Sequence, residues 1–486
     1  YTDLLYNEIV NTGDNNHYYI GIGKSDQFDS ADDTVVNPTN SLLEEMDARH
    51  NMESIIKVTE TSMSYVAPRN NWTSGSKYNG WNDKQAGYPG DYPYYVMTED
   101  QQVYVCLQAS KGADGTINPS TVKPSYATHP VTFHRAFKTS DGYIWKFLYE
   151  ITAARSNIFL TSGFLPTQIS DSSGSTTAET DQAAVQSTVK RGQITGFEVI
   201  DGGEGYGTAP TITITGNGTG AVATVTRDPA TSTISKIEMN CAISDSGMGS
   251  GYTYARGTLS SVGETRSAVI RPIFGPLNGF GKDARQDLKS SSLMFNSKPT
   301  GDVSGAFSIS TSGAYGGQAD YRQITLLRNL DYVDSAADGV RVEQAQARAS
   351  RLIMTSGTGS GTLVRDEKLT GTTSGTVAWV DQIDTVNNKG VASLGIHYHF
   401  NSRKDLKVGT FTNGETITGS PSGGTATVDS DSQPGSGATR KMLTGTQTGR
   451  LGAIDKYSGD VLYIDNRTRI IRSSTQTEDI KIILSV

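Results

Sequence analysis

Gly459–Leu484, GDVLYIDNRTRIIRSSTQTEDIKIIL, is the stretch from which the fold is read. Val461 and Tyr463, then Ile480, Ile482 and Leu484, alternate with Leu462, Ile464, Lys481 and Ile483. A spacing of two is the period of paired strands, here with both faces largely apolar in places. Arg467, Arg469 and Arg472 interrupt the pattern with positive charge, and Glu478 and Asp479 restore negative charge before the last strand. A frayed tail has no reason to alternate, so this chain end is expected to dock as core strand, burying Val461, Tyr463, Ile480 and Ile482.

Composition points the same way. Gly is 53 of 486 residues, above the average share, and Tyr at 23 outnumbers Phe at 13. Strands joined by tight turns use residues in this way, so the chain reads as mainly β. A length of 486 residues allows two to four domains. A formal charge of −8 argues against a general nucleic-acid binder, which needs a basic face. Cys106 and Cys241 are too few for a disulfide framework and read as reduced, part-buried thiols suited to a reducing cytoplasm. No apolar run is long enough for a membrane segment, and no basic-then-apolar signal opens the chain. Tyr1 stands where a Met would begin a complete chain, which implies residues upstream.

Along the first 170 residues, Tyr18, Tyr19, Ile20 and Ile22 form a short strand closed by Gly23. Ser41 with Glu44 has the capping-box spacing and predicts a helix over 41–56, with Leu42, Leu43, Met46, Met52, Ile55 and Ile56 facing a core. Strands are expected at Ser64–Pro68, Tyr94–Leu107 and Tyr143–Ile151. Between the first two lies an aromatic, turn-rich loop with Trp72, Tyr78, Trp81, Tyr88, Tyr92 and Tyr94. So much aromatic area is expected to be buried, against its own domain or a partner. A second helix, over 283–293, follows from Asp283 with Gln286 ahead of Leu288 and Leu293.

Two stretches differ in texture, being poor in charge and rich in Gly, Ser and Thr. In 171–262, ITGFEVIDGGEGYGTAP is echoed by ISKIEMNCAISDSGMGSGYTYA, placing Tyr206 and Tyr252 46 residues apart after matching turns. In 351–440, Glu367–Asp381 (EKLTGTTSGTVAWVD) aligns with Glu415–Asp429 (ETITGSPSGGTATVD) at an offset of 48, with eight identities in fifteen. Such echoes suggest small β modules made of duplicated hairpins.

NHYYIGIGKSDQF, VAPRNNWTSGSKYNGW, SDGYIWKFLYEI, GPLNGFGKDARQDL, DYRQITLLRNL and the closing VLYIDNR and TEDIKI occur in this order. Together with the Glu44–Glu45 helix, these blocks resemble a baseplate wedge subunit of contractile-tailed, T-even-like phages, the dimeric "gene product eight" type. The resemblance covers about 1–170, 263–350 and 441–486. It implies a structural, non-enzymatic virion protein without cofactors: a homodimer assembled in the host cytoplasm that bridges other wedge subunits of the tail baseplate and helps transmit the contraction trigger. The expected fold class is mainly β, a multidomain β-sandwich-like core with a few short helices and two inserted small β modules. The core then comprises 1–170, 263–350 and 441–486, with 171–262 and 351–440 inserted into its loops. Longer loops are cheap to close, which favours insertion there. The insertions leave open a contact with tail fibres or the host surface.

Other chemistry reads weakly. Gly23-Lys24-Ser25 has the end of a phosphate loop but Tyr18 where that loop needs glycine, so a strand-ending turn is expected. His397 and His399 share a strand face without a third metal ligand. Asp26, Asp29, Asp32 and Asp33 lack the glycine and spacing of a calcium loop. No nucleophile elbow or HExxH pair occurs. Trp72, Tyr78, Trp81, Tyr88 and Tyr92 are the interface candidates, since Tyr and Trp are enriched at subunit contacts. The alternative is a carbohydrate-binding tail or secreted adhesin in which Trp72 and Trp81 stack sugars.

Overall fold

Antiparallel pairing of segments hundreds of residues apart organises this protein. The structure, a computed structural model, describes residues 2–10, 16–24, 28, 35–128, 134–170, 176–242, 245–299, 319–331, 341–342, 346–348, 351–356, 363–364, 367–384, 393–398, 403–404, 407–408, 411–412, 414–428, 454–472 and 479–485. Strand outweighs helix, 41% to 14%, so the fold is mainly β. The chain divides into two compact units, one of 3–63 with 295–482 and the other of 64–294 with 483–486.

In the first unit a five-stranded sheet runs Gln346–Arg348, Met52–Lys57, Tyr18–Gly23, Ala319–Arg328, Asp460–Arg472. Ile56, Ile20, Leu326 and Tyr463 lie side by side across four of these strands. Tyr18–Gly23 is buried along its whole length, and Gly21 is needed because a Cβ there would press on the Thr325 hydroxyl and Leu327. Tyr19, Met52, Ile55, Leu327 and Ile454 form the core, with Val461 partly buried against it. Tyr463 is instead exposed, as is Leu462, because no described residue pairs with the outer side of their strand.

Ser41 caps the helix Leu42–Asn51 by accepting from the Glu44 N–H at 3.3 Å, but the Glu44 carboxylate turns to the Thr39 N–H rather than closing the box. The helix ends at Asn51, not 56. Met52–Lys57 pairs with Tyr18–Gly23, and sheet pairing overrides the helical spacing. Leu42 and Leu43 are exposed rather than core-facing. On the other face, Arg49 donates to Glu45 at 2.9 Å and to the carbonyls of Ser458 and Gly459 at 2.7 Å each. The start of the last long strand is thereby tied to the helix Leu42–Asn51.

Residues 351–428 of this unit include a closed six-stranded barrel ordered Arg351–Ser356, Ser393–Tyr398, Val377–Asp384, Lys368–Gly371, Thr416–Ser420, Thr425–Val428. Leu369, Ala378, Val380, Ile417 and Val428 fill it. The echo at offset 48 has a geometric meaning: Thr370 sits directly opposite its equivalent Thr418, so the two hairpins meet about a pseudo-twofold axis. The Glu415 carboxylate accepts from the N–H groups of Thr373 (2.9 Å), Ser374 (2.8 Å) and Thr412 (2.5 Å) and from the Ser374 hydroxyl (2.8 Å). Glu367 accepts from the Ser422 N–H (3.3 Å) and hydroxyl (2.6 Å) and from Val364 N–H (2.5 Å). Each repeat's glutamate holds the other repeat's turn.

In the second unit, Tyr95–Met97, Gln102–Gln108, Ile144–Glu150 and Phe137–Lys138 form one sheet. A second is ordered Ala223–Arg227, Ile234–Met239, Ile194–Asp201, Val269–Phe274. Phe197, Ile234 and Ile237 share one hydrophobic core with Trp81, Val105 and Leu148, so residues of 171–262 pack with the segment before them. Met63–Pro68 pairs with Phe164–Thr167. Ile480 and Ile482 are buried. The echo around Tyr206 and Tyr252 is structural as well. Gly203 and Gly205, like Gly249 and Gly251, adopt left-handed φ between 63° and 79°, and both tyrosines are buried. The helix expected over 283–293 is one turn, Ala284–Asp287, capped by Asp283 on the Arg285 N–H; Ser292–Ser297 is a buried strand. Helices Thr2–Val10, Ala153–Phe159 and Thr177–Ser187 were not expected.

Candidate functional site

The aromatic loop is built into the second unit by its backbone. Asn79 N–H donates to the Pro93 carbonyl at 3.0 Å and Trp81 N–H to Cys106 at 2.8 Å. Its rings follow. The Trp81 indole N–H donates to the Phe274 carbonyl at 2.9 Å, with Tyr94 and Phe280 edge-on at 5.5 and 5.3 Å and the Lys289 ammonium 4.8 Å over the ring. Tyr78 lies against Tyr143 and Trp145, and its hydroxyl accepts from the Thr73 N–H at 2.7 Å. Trp72 donates to the Ser120 hydroxyl, and Tyr88 to the Lys289 carbonyl with burial pushing its phenol up to about 12. Of the five interface candidates, Tyr78 and Trp81 are buried in their own unit, Trp72 and Tyr88 half-buried, and Tyr92 exposed with Lys77 over its ring.

Residues 79–94 of this loop wall a cleft of about 440 Å³ whose floor is the face of Ile194–Asp201 and Ile234–Met239. Arg271 fastens wall to floor, bonding Glu198 at 2.8 Å, Asp83 at 2.7 Å and the Asn82 side chain at 3.1 Å. At the lip, the Asn79 amide donates to Asp91 at 2.9 Å and the Tyr92 carbonyl at 2.8 Å. On the floor, Lys236 pairs with Glu238 at 2.7 Å and donates to the Lys111 carbonyl at 2.5 Å. Gly196 lies along the cleft with nothing within 4 Å of where a Cβ would stand.

Near these elements in sequence are two buried titratable groups, Asp287 and Lys146. The Asp287 carboxylate accepts from Gly281 N–H at 2.7 Å, and burial pushes it up to about 8. Lys146 donates to the His134 carbonyl at 2.8 Å, and burial pulls it down to about 8.

The remaining sequence candidates are placed as follows. Lys24 has left-handed φ of 63°, donates its N–H to Asn51 and pairs with Asp47 at 3.5 Å, which is a strand-ending turn. Ser25, Asp26, Asp29, Asp32, Asp33 and His399 lie outside the described residues, and for His397 only the strand backbone is described. Cys106 and Cys241 are free and buried, and burial pushes both thiols up. Among the described residues no three His, Cys, Asp or Glu side chains converge as metal ligands, and no helix is long and apolar enough to cross a membrane.

Compared with known proteins, the chain matches no family model and no curated sequence.

Proposed function

We propose that this chain is a structural virion protein, a baseplate wedge subunit of a contractile phage tail. The observation that carries the reading is how the resembling blocks fold. NHYYIGIGK, DYRQITLLRNL and VLYIDNR, hundreds of residues apart, become the neighbouring strands Tyr18–Gly23, Ala319–Arg328 and Asp460–Arg472 of one sheet. Blocks scattered along the chain are meaningful as a set only if one architecture uses them together. On this reading the protein assembles in the host cytoplasm as a homodimer, joins other wedge subunits and helps pass on the contraction trigger. The barrel within 351–428 is then an addition carried by the same unit.

The test is co-expression with the products of the genes flanking its own, followed by light scattering on the purified complexes. A dimer of twice 52.0 kDa that captures at least one flanking product is expected. A monomer that captures none sinks the reading. The carbohydrate-binding alternative, in its form of sugar stacking on Trp81, needs a free ring face, and that ring is enclosed by Tyr94, Phe280 and Lys289.

A further inference from the structure

The cleft between the 79–94 loop and the Ile194–Asp201 and Ile234–Met239 strands has the size of a small-molecule site, room for about one to two sugar rings. Its charges are mostly neutralised in place: Glu198 by Arg271 and Glu238 by Lys236. Lys111 is the exception. Among the described residues nothing accepts a hydrogen bond from its ammonium, although the side chain lines the cleft and is half-buried. Burial pushes this ammonium below its ordinary value, Glu238 drawing it back and Lys236 adding to the fall. A half-buried cation that no acceptor bonds is costly, and an anionic ligand group relieves that cost.

The rest of the lining says what kind of anion. The floor is a sheet face in which Ile194–Asp201 and Ile234–Met239 are both central strands, so no free backbone edge is offered to an extended peptide. What faces the cleft instead is a set of side chains. Asn79, Gln85, Asp91 and Glu198 supply amides and carboxylates of the kind that bond hydroxyls, and the half-buried Pro89 and Ile273, the latter paired with Gly196, supply apolar surface. A sugar ring has both a hydroxyl rim and an apolar C–H face.

We propose that this cleft binds a saccharide that carries a carboxylate, the carboxylate meeting Lys111 and the ring lying over Gly196 and Ile273 beneath the 79–94 loop. The site uses the cleft floor rather than the faces of Trp72 or Trp81, and it does not depend on the baseplate reading.

The experiment uses the full chain and saturation-transfer NMR with titration, comparing digalacturonate, the neutral galactose disaccharide and hexaglutamate. Digalacturonate binding at least tenfold tighter than the neutral disaccharide is expected, since a charge-assisted contact is worth at least that factor. Lys111→Met should level the two sugars. Gly196→Gln, which places a side chain in space open in the structure, should abolish binding of both with the melting temperature unchanged. Equal or absent binding of the two sugars by the unaltered chain overturns the proposal. So does binding that survives Gly196→Gln, or hexaglutamate binding as tightly as digalacturonate through Lys111.

Discussion

The reciprocal glutamates of the barrel make an unusual prediction about where damage should appear. Glu415→Ala removes the acceptor of four hydrogen bonds, from Thr373 N–H, Ser374 N–H, the Ser374 hydroxyl and Thr412 N–H. Three of these come from the turn of the other repeat, 42 and 41 residues away in sequence. Bonds to a charged acceptor are individually worth more than neutral ones, but this turn is partly exposed, so water replaces some of the loss. A cost of about 2–4 kcal/mol against local opening of the barrel follows. The readout is amide hydrogen exchange, which resolves local opening where a global melt of a two-unit chain does not. Protection at Thr373, Ser374 and Thr376 should fall about thirty- to a thousandfold. Glu367→Ala should do the same to Ser422 and Gly424, at somewhat smaller size, because it accepts fewer bonds. If each substitution instead loosens its own hairpin, or neither moves protection beyond a fewfold, the cross-capping argument is wrong. The carboxylate also sets a pH dependence: burial raises the Glu415 carboxyl, but the bonds from Ser374, Thr412 and Thr373 more than offset it, leaving it below its ordinary value. Its stabilisation is therefore present above pH 4.5 and is lost as pH falls through its folded value.

Three other variants test other parts of the structure. Asp287 is raised from 3.8 to about 8 by burial, so its favourable contribution is complete below pH 3.8 and is lost as pH rises to about 8. Asp287→Asn keeps an acceptor for Gly281 N–H, and its gain in melting temperature over the unaltered chain should grow between pH 5 and 8; a difference flat across that range refutes the assignment. Arg49→Met strands the carbonyls of Ser458 and Gly459 and should cost about 3 kcal/mol of the first unit's stability in urea, with no loss counting against the tie between helix and last long strand. Ile480→Ala with Ile482→Ala removes two buried side chains, each worth about 2–5 kcal/mol, and a double variant that melts with the unaltered chain would mean the last strand is not docked.

Period-two alternation made strands legible at both chain ends, and adjacent capping residues made helix starts legible. Neither could say which neighbour a strand would find. Tyr463 fits the alternation yet is exposed, because burial depends on whether a further strand covers that side of Asp460–Arg472. Ser41 correctly marks a helix start, but its end at Asn51 is decided by pairing of Met52–Lys57 with a strand more than thirty residues earlier. The helix Thr177–Ser187 carries a complete Thr176–Glu179 capping box and was readable; the Gly/Ser/Thr-rich composition of 171–262 masked it. For the aromatic loop the limit is distance along the chain. Trp81 is enclosed by Phe274, Phe280 and Lys289, nearly two hundred residues away, and the cleft joins Lys111, Gly196 and Lys236 from separate strands and turns. No local pattern carries such a site.

The nesting of one unit's sequence inside the other's has a consequence during synthesis. Everything from 64 to 294 emerges before Ala319–Arg328, the strand that Tyr18–Gly23 must pair with, and the outer partner Asp460–Arg472 emerges later still. At roughly 5–20 residues per second, Tyr18–Gly23 waits about 15–60 s for that partner. Through that interval YYIGIG, a strand made for burial on both faces, is held at most by Met52–Lys57 in a hairpin-like pair that is marginal on its own. The inner unit, lacking only 483–486, can largely fold on the ribosome while the outer one remains open, so slow or crowded translation exposes the outer unit's central strand first to self-association.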